Sequence, residues 1–256
     1  MQGYDSTSYG EAFADVYDEW YGDISDVEAT VQMLATLSRT AGTELPVVEL
    51  GVGTGRLALP LAALVHPTPV IGIDSSPAML ARLAAKRAAT TDAPTDAFTA
   101  TLGDMIDGLP DGPLGVVFVA FNTFFNLPTV DRQRACFRAV AARLAPDGTF
   151  VIEAYVPDDP ARSGSHVEVK TIAADRVVLS VARHDGTSSQ TEGQFIEFTE
   201  SGGVRLRPWS IRTALPGELD EMAAEAGLVL HARWETAAGE PFDGHSDRHL
   251  SVYRPG

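Results

Sequence analysis

Between residues 27 and 40 the apolar positions Val27, Val31, Leu34 and Leu37 fall three and four apart, the spacing of one face of an amphipathic helix. Ahead of them, "YGEAFADVYDEWYGD" mixes acids with aromatics, so residues 1–45 are expected to form an N-terminal helical arm. From Pro46 the pattern alternates. "VVELGVG" is an apolar run closed by glycine, "RLALPLAAL" has a helical composition with Pro60 near enough to its start to be tolerated, and "VIGID" is a second strand. "SSPAMLARLAAKRAA" follows with Ser76 placed to cap a helix and Pro77 at its first position. "AFTATLGD" and "GVVFVAF" read as third and fourth strands, "DRQRACFRAVAARLAPDG" as a helix stopped by Pro146 and Gly148, and "TFVIEAYV" as a fifth strand. Wholly apolar strands alternating with helices require a parallel sheet covered on both faces. The expected fold is therefore α/β, a Rossmann-like, doubly wound and mostly parallel sheet of seven strands.

Residues 166 to 214 break this rhythm. They hold no helical period but four β-rich runs, "HVEVKTI", "RVVLSVARH", "QFIEFT" and "VRLRPWSIRT", with turn residues at Asp185-Gly186 and at 201–203. We expect an antiparallel insertion over 161–212, between strands 5 and 6 and built onto the same sheet. The core then comprises 46–160 and 213–256. "PGELDEMAAEAG" restores a helix with Gly227 at its end, and "LVLHARW" and "HLSVYR" supply the closing strands.

The charge removes whole classes of partner. Nineteen Lys and Arg against 35 Asp and Glu leave a net charge of -16, a field that repels polyanions, so nucleic acid is not expected. The start "MQGYDSTSYG" has no basic and then apolar leader, and no apolar run reaches the roughly 18 residues of a membrane span, so no membrane association and a cytoplasmic location are expected. The single cysteine, Cys136, falls on the core side of its helix. Asp243, His245, Asp247 and His249 crowd one polar loop, but a metal is not implied.

The chemistry is carried by "ELGVGTG" at 49–55. Glycines behind a parallel strand let the backbone turn and approach a ligand at the sheet's carboxyl edge. A dinucleotide fingerprint starting at Gly51 would need glycine where Arg56 stands, which counts against a nicotinamide-dependent oxidoreductase, as does the absence of a Tyr-x-x-x-Lys pair. Glu49 followed by Gly51, Gly53 and Gly55 instead resembles the first motif of the class I S-adenosylmethionine-dependent methyltransferases, E/D-x-G-x-G-x-G. Asp74 closes the second strand, 19 residues after Gly55, and "GDM" at 103–105 closes the third, both in the family's order. The resemblance implies S-adenosylmethionine as cofactor, with Asp74 on the ribose hydroxyls and Ser75 beside it. It also implies Met79 on the adenine face, and Asp104 with the Met105 amide at the adenine edge. "SYGEAFADVYDEWYGD" is similar to the arm of methyltransferases that modify natural products and sugars, which implies that Tyr9 and Tyr17 cover the cofactor, with Trp20 and Tyr21 as further lids. By the same resemblance Arg56 reaches the methionine carboxylate.

The acceptor would meet the methyl group near the ends of the fourth and fifth strands. Phe121, Asn122, Phe125 and Tyr155 are expected to line that end, with Tyr21 over it, and His166 and His245 are the candidate bases together with Asn122. Glu153 is mid-strand and is expected to point away or to pair locally. An Asp/Asn-Pro-Pro-aromatic tetrapeptide is absent, "FNTF" standing in its place, which argues against nucleic-acid or protein amide acceptors. A methyltransferase acting on oxygen or nitrogen of a small molecule is thus expected. The alternative is a binding module that keeps the cofactor site without turnover. The insertion is expected to cap the acceptor or to form a homodimer contact.

Overall fold

The computed structural model describes residues 1–22, 26–89 and 97–256. Three helices open the chain, α1 (Ser8–Phe13), α2 (Tyr17–Tyr21) and α3 (Val27–Ala41). Then come β1 (Val47–Leu50), α4 (Ala58–Val65), β2 (Val70–Asp74), α5 (Pro77–Ala89), β3 (Phe98–Leu102) and β4 (Leu114–Val119). A short 3₁₀ turn, Thr123–Asn126, leads to α6 (Val130–Ala141) and β5 (Leu144–Tyr155). β6 (Gly164–Ile172), β7 (Arg176–Asp185), β8 (Gln190–Thr199) and β9 (Val204–Arg212) precede α7 (Pro216–Glu225), β10 (Leu228–Trp234) and β11 (Arg248–Pro255).

One sheet of seven strands runs in the order β3-β2-β1-β4-β5-β11-β10. β1 to β5 are parallel and β11 enters antiparallel between β5 and β10. Strand order reverses between β1 and β4, and ligands of such sheets lie beyond the carboxyl ends at that point. One face of the sheet buries Leu34 of α3, Leu61 of α4 and Leu83 of α5; the other buries Phe137 of α6 and Met222 of α7. The helices start where their capping residues put them. Asp26 Oδ1 accepts from the Ala29 amide at 2.9 Å, Ser76 Oγ from Met79 at 3.2 Å and Thr129 Oγ1 from Arg132 at 3.2 Å. α6 ends at Ala141, earlier than Pro146 and Gly148 suggest. Leu144 already pairs with Leu114, and both breakers fall where the register jumps to Val116 opposite Thr149.

The insertion departs from expectation in one respect. Its strands pair as β6-β7-β8-β9 in a sheet of their own, because both edges of β5 are occupied by β4 and β11 and the chain leaving Tyr155 finds no open edge beside it. This second sheet packs on the N-terminal arm. Phe13 and Trp20 meet Phe195 with ring centroids 5.6 and 5.7 Å apart. Arg207, 1% exposed, donates to Asp15 Oδ1 at 2.6 Å and to Glu197 Oε2 at 3.1 Å, and its guanidinium lies over Trp20 at 5.3 Å. Among the described residues no helix is long and apolar enough to cross a membrane.

Candidate active site

A cavity of about 370 Å³ opens at the carboxyl ends of β1, β2 and β3, under the arm. Its floor is the glycine loop. Gly51 takes φ 70° and a Cβ there would stand 2.3 Å from Thr123 Cγ2, whereas Gly53, at φ 54°, has nothing within 4 Å of where its Cβ would be. The first glycine is thus required by packing and backbone, and the second leaves backbone bare toward the cavity. Asp74 joins this loop to α5. One carboxylate oxygen accepts from the Gly53 amide at 2.7 Å and the other from Ser76 at 2.8 Å, while burial pushes its pKa upward against those bonds. It therefore tethers the glycine loop beside the start of α5 and walls the cavity at once, and each oxygen keeps a lone pair for a ligand hydroxyl.

Across the cavity, Asp104 Oδ1 accepts from the Ile106 amide at 2.8 Å and from Arg132 Nη2 at 2.7 Å. Met79, buried, and Met105 supply apolar wall between the two acids, and Ser75 sends its hydroxyl to the Ser6 carbonyl at 2.7 Å. Tyr9 and Tyr17 line the roof. Tyr9 stacks on Phe13 at 4.4 Å and its hydroxyl is hydrogen-bonded to that of Tyr21, and burial holds the pKa of Tyr9 and Tyr17 above the ordinary value. The roof rests on α5: a Cβ on Gly10 would lie 2.2 Å from Ser76 Cβ, and Glu11 Oε1 accepts from the Ala78 amide at 3.1 Å. Trp20, expected as a lid, turns away to the second sheet.

Glu49 is 5% exposed, and burial pushes its pKa up to about 8, with Arg56 nearby opposing. One oxygen accepts from the Ala58 amide, and Oε2 is buried with no hydrogen-bond partner. The Arg56 guanidinium lies 5.9 Å from the Phe121 ring, which is 5.8 Å from Tyr21.

The acceptor end is arranged differently from the sequence expectation. Phe125 is fully buried, edge-on to Tyr155 at 5.4 Å, and is core rather than wall. Asn122 holds φ 63° and its Oδ1 accepts from the Tyr155 amide at 2.7 Å, so that side chain is a clamp between the ends of β4 and β5. His166 is exposed on β6, an edge strand, and His245 is exposed in the loop before β11, its amide donating to Asp243. Neither is brought to the cavity. His249 is buried, with Nδ1 on Ser251 Oγ at 2.8 Å, and burial lowers its pKa to about 4. Glu153 does not point away. Its Oε2 meets the Phe121 amide at 3.1 Å, at a residue held at φ 46°. Register puts Glu49 opposite Phe118, Phe118 opposite Val151, and Glu153 two residues on, so both acids share one face of the sheet. That alternation was readable in the sequence; Tyr4, Ser6 and Arg132, which also line the cavity, carried no motif.

A family profile described as a methyltransferase domain matches residues 47–148. The CcbJ methyltransferase of Streptomyces caelestis superposes with a TM-score of 0.87 at 38% identity, over 99% of this chain and 100% of that one. The cypemycin N-terminal methyltransferase of a Streptomyces species is 27% identical over 97% of this chain and 98% of its own. CalS10 of Micromonospora echinaspora, an amino pentose methyltransferase of calicheamicin biosynthesis solved with S-adenosylmethionine, superposes with a TM-score of 0.65 at 24% identity, over 94% and 97% of the two chains. The chain belongs to the class I S-adenosylmethionine-dependent methyltransferases.

S-adenosylmethionine is the cofactor, and the residues suit it. Asp74, Asp104 and Met105 line the cavity, where Asp74 would accept from a ribose and Asp104 with the Met105 amide would meet the adenine edge; Glu49 Oε2 is buried, outside that lining, with no hydrogen-bond partner. The bound cofactor supplies a methyl group activated on a sulfonium. The protein must hold it, exclude water and align the nucleophile behind it.

Glu49 gives this binding a pH signature. Burial favours its protonated form up to about pH 8, and a cationic ligand brought near it would favour the ionised form, so binding would release a proton. Affinity for S-adenosylmethionine is expected to rise between pH 6 and 8, by up to roughly tenfold per unit. Titration calorimetry in buffers of different ionisation enthalpy reads the released proton. Glu49→Gln should flatten the profile, and an unchanged slope in that variant would remove Glu49 from the cation's environment.

Proposed function

We propose that the chain methylates a nitrogen of a small natural-product or aminosugar-like acceptor, by in-line displacement. The observation that carries this reading is Glu153, a carboxylate at the end of β5 on the sheet face it shares with Glu49, beside the Phe121 backbone. An aliphatic amine arrives at neutral pH as a cation. A carboxylate there attracts it and offers its proton an acceptor, after which the free nitrogen needs only alignment. A hydroxyl acceptor would ask for a stronger base, and His166 and His245 stand exposed away from the cavity. The net charge of -16 favours cationic substrates in the same sense. Two relatives named above, one for an N-terminal amine and one for an amino pentose, act on substrates of this chemistry by their names. Tyr17, Tyr21 and Phe121 form the aromatic side of this end and help to keep water from it.

The test is a screen with labelled methyl donor against primary and secondary amines, each paired with the corresponding alcohol. Turnover confined to amines supports the reading, and turnover of alcohols alone overturns it. With a working amine, Glu153→Gln is expected to lower kcat about 10²-fold or more while cofactor affinity stays within a few-fold. Equal kcat would dismiss Glu153 from proton handling. Tight cofactor binding without turnover of any acceptor would favour the non-catalytic module.

A further inference from the structure

One cation stands in the wall of the cofactor cavity. Arg132 is the only lysine or arginine among the described residues that line it, and it comes from the first turn of α6 rather than from a strand end. That turn is fixed from two sides. Thr129 caps it through the Arg132 amide at 3.2 Å. The next residue, Gln133, is fully buried; its Nε2 donates to the Arg212 carbonyl at 2.8 Å and its Oε1 accepts from Arg212 Nη1 at 2.6 Å. From this anchored turn Arg132 reaches Asp104, 28 residues back, with Nη2 on Oδ1 at 2.7 Å. The hydrogen bonds of Asp104 are one-sided. Oδ1 accepts from Arg132, from the Ile106 amide at 2.8 Å and from the Asp107 amide at 3.3 Å, and among the described residues no bond falls on Oδ2. The two amides alone leave the carboxylate hinged about Oδ1; a planar guanidinium approaching from α6 removes that freedom and leaves Oδ2 for a ligand donor. The 3.9 Å approach of Arg132 Nη1 to Asp107, whose side chain is 80% exposed, adds little.

We propose that Arg132 is a positioning residue for the cofactor's base: it presents Asp104 Oδ2 to the exocyclic amine and so sets the preference for an amino purine over an oxo purine. The proposal rests on the adenine edge lying against Asp104. Arg132 has a second effect, opposite in sign. A guanidinium is a donor that suits a carbonyl, and pairing with Asp104 engages it instead. Acid and guanidinium are thus a matched pair, in which the acid reads the amine and keeps the guanidinium from reading a carbonyl in its place. A mere tie between α6 and the loop after β3 would lower affinity for both kinds of base alike.

Titration calorimetry on the full chain tests this with two probes, S-adenosylhomocysteine and S-inosylhomocysteine, whose bases differ in carrying an amine or a carbonyl. The wild type is expected to favour the amine by about 30-fold or more, since a carboxylate facing a carbonyl leaves two acceptors unpaired. In Arg132→Met the preference should narrow to about threefold, and Arg132→Lys, which keeps a cation on Oδ1, should recover part of it. Asp104→Ala frees the guanidinium and should turn the preference toward the carbonyl; adding Arg132→Met should abolish it. Should Arg132→Met fold poorly by circular dichroism, Arg132→Gln takes its place and is read by the same ratio. Arg132→Met at the wild-type ratio, whatever its absolute affinities, overturns the proposal; loss of the preference in Asp104→Ala would then leave the base at Asp104 without it. A preference for the amine that survives Asp104→Ala, or is missing from the wild type, overturns that placement of the base and the proposal together.

Discussion

Asp74→Ala is expected to weaken S-adenosylhomocysteine binding by about 2–4 kcal/mol, roughly 30- to 1000-fold, while the sheet stays folded. The size follows from what one carboxylate does. It lines the cavity, where it would accept from two ribose hydroxyls, and its own oxygens already hold the Gly53 amide at 2.7 Å and the Ser76 amide at 2.8 Å. Alanine therefore removes the ligand contacts and slackens the glycine loop beneath the ligand. Asp74→Asn separates the two effects, because an amide oxygen can still accept one bond while the charge is gone; it should fall between the wild type and alanine. Calorimetry giving wild-type affinity for Asp74→Ala would end the ribose assignment.

Arg207→Met is expected to release the arm. The guanidinium is 1% exposed and joins Asp15 on the arm to Glu197 on β8, so its removal breaks that bridge and leaves Asp15 to Arg205 at 2.6 Å and Glu197 to Arg176 at 4.0 Å. Losing one partner of such a cluster costs about 3–5 kcal/mol, and the chain can avoid that cost by undocking its first helices. Limited proteolysis should then cut within the first 22 residues, and cofactor affinity should drop by two orders of magnitude or more as Tyr9 and Tyr17 leave the roof. Adding Glu197→Leu should recover part of the loss. Protease resistance and affinity equal to the wild type would show that the arm is held without Arg207, by its aromatic contacts to Phe195 and its bonds to α5 and Ser75.

The features legible in the sequence were those set by local chemistry. The alternation of apolar runs and caps such as Ser76 and Thr129 marked the parallel sheet, and the spacing from Gly51 through Asp74 to Asp104 marked three strand ends that the structure brings to the wall of one cavity. The acceptor end was less legible because its side chains are placed by contacts distant in sequence. Phe125 turns into the core against Tyr155, Asn122 spends its amide oxygen on a strand end, and Glu153 is drawn to the amide of Phe121, 32 residues away. The histidines drew attention as titratable groups, yet nothing in their local sequence carries them to the cavity. The second sheet's independence needed knowledge that β11 takes the edge of β5, a pairing across nearly a hundred residues.

The arm over the cavity has a kinetic side. If Arg207 and its two acids hold the roof shut by about 4 kcal/mol, the open form is about one molecule in a thousand at any instant, since each 1.4 kcal/mol is tenfold in population. Release of the spent cofactor past the arm would then wait on those openings. The clasp that keeps water from the methyl donor would then also act as the enzyme's clock.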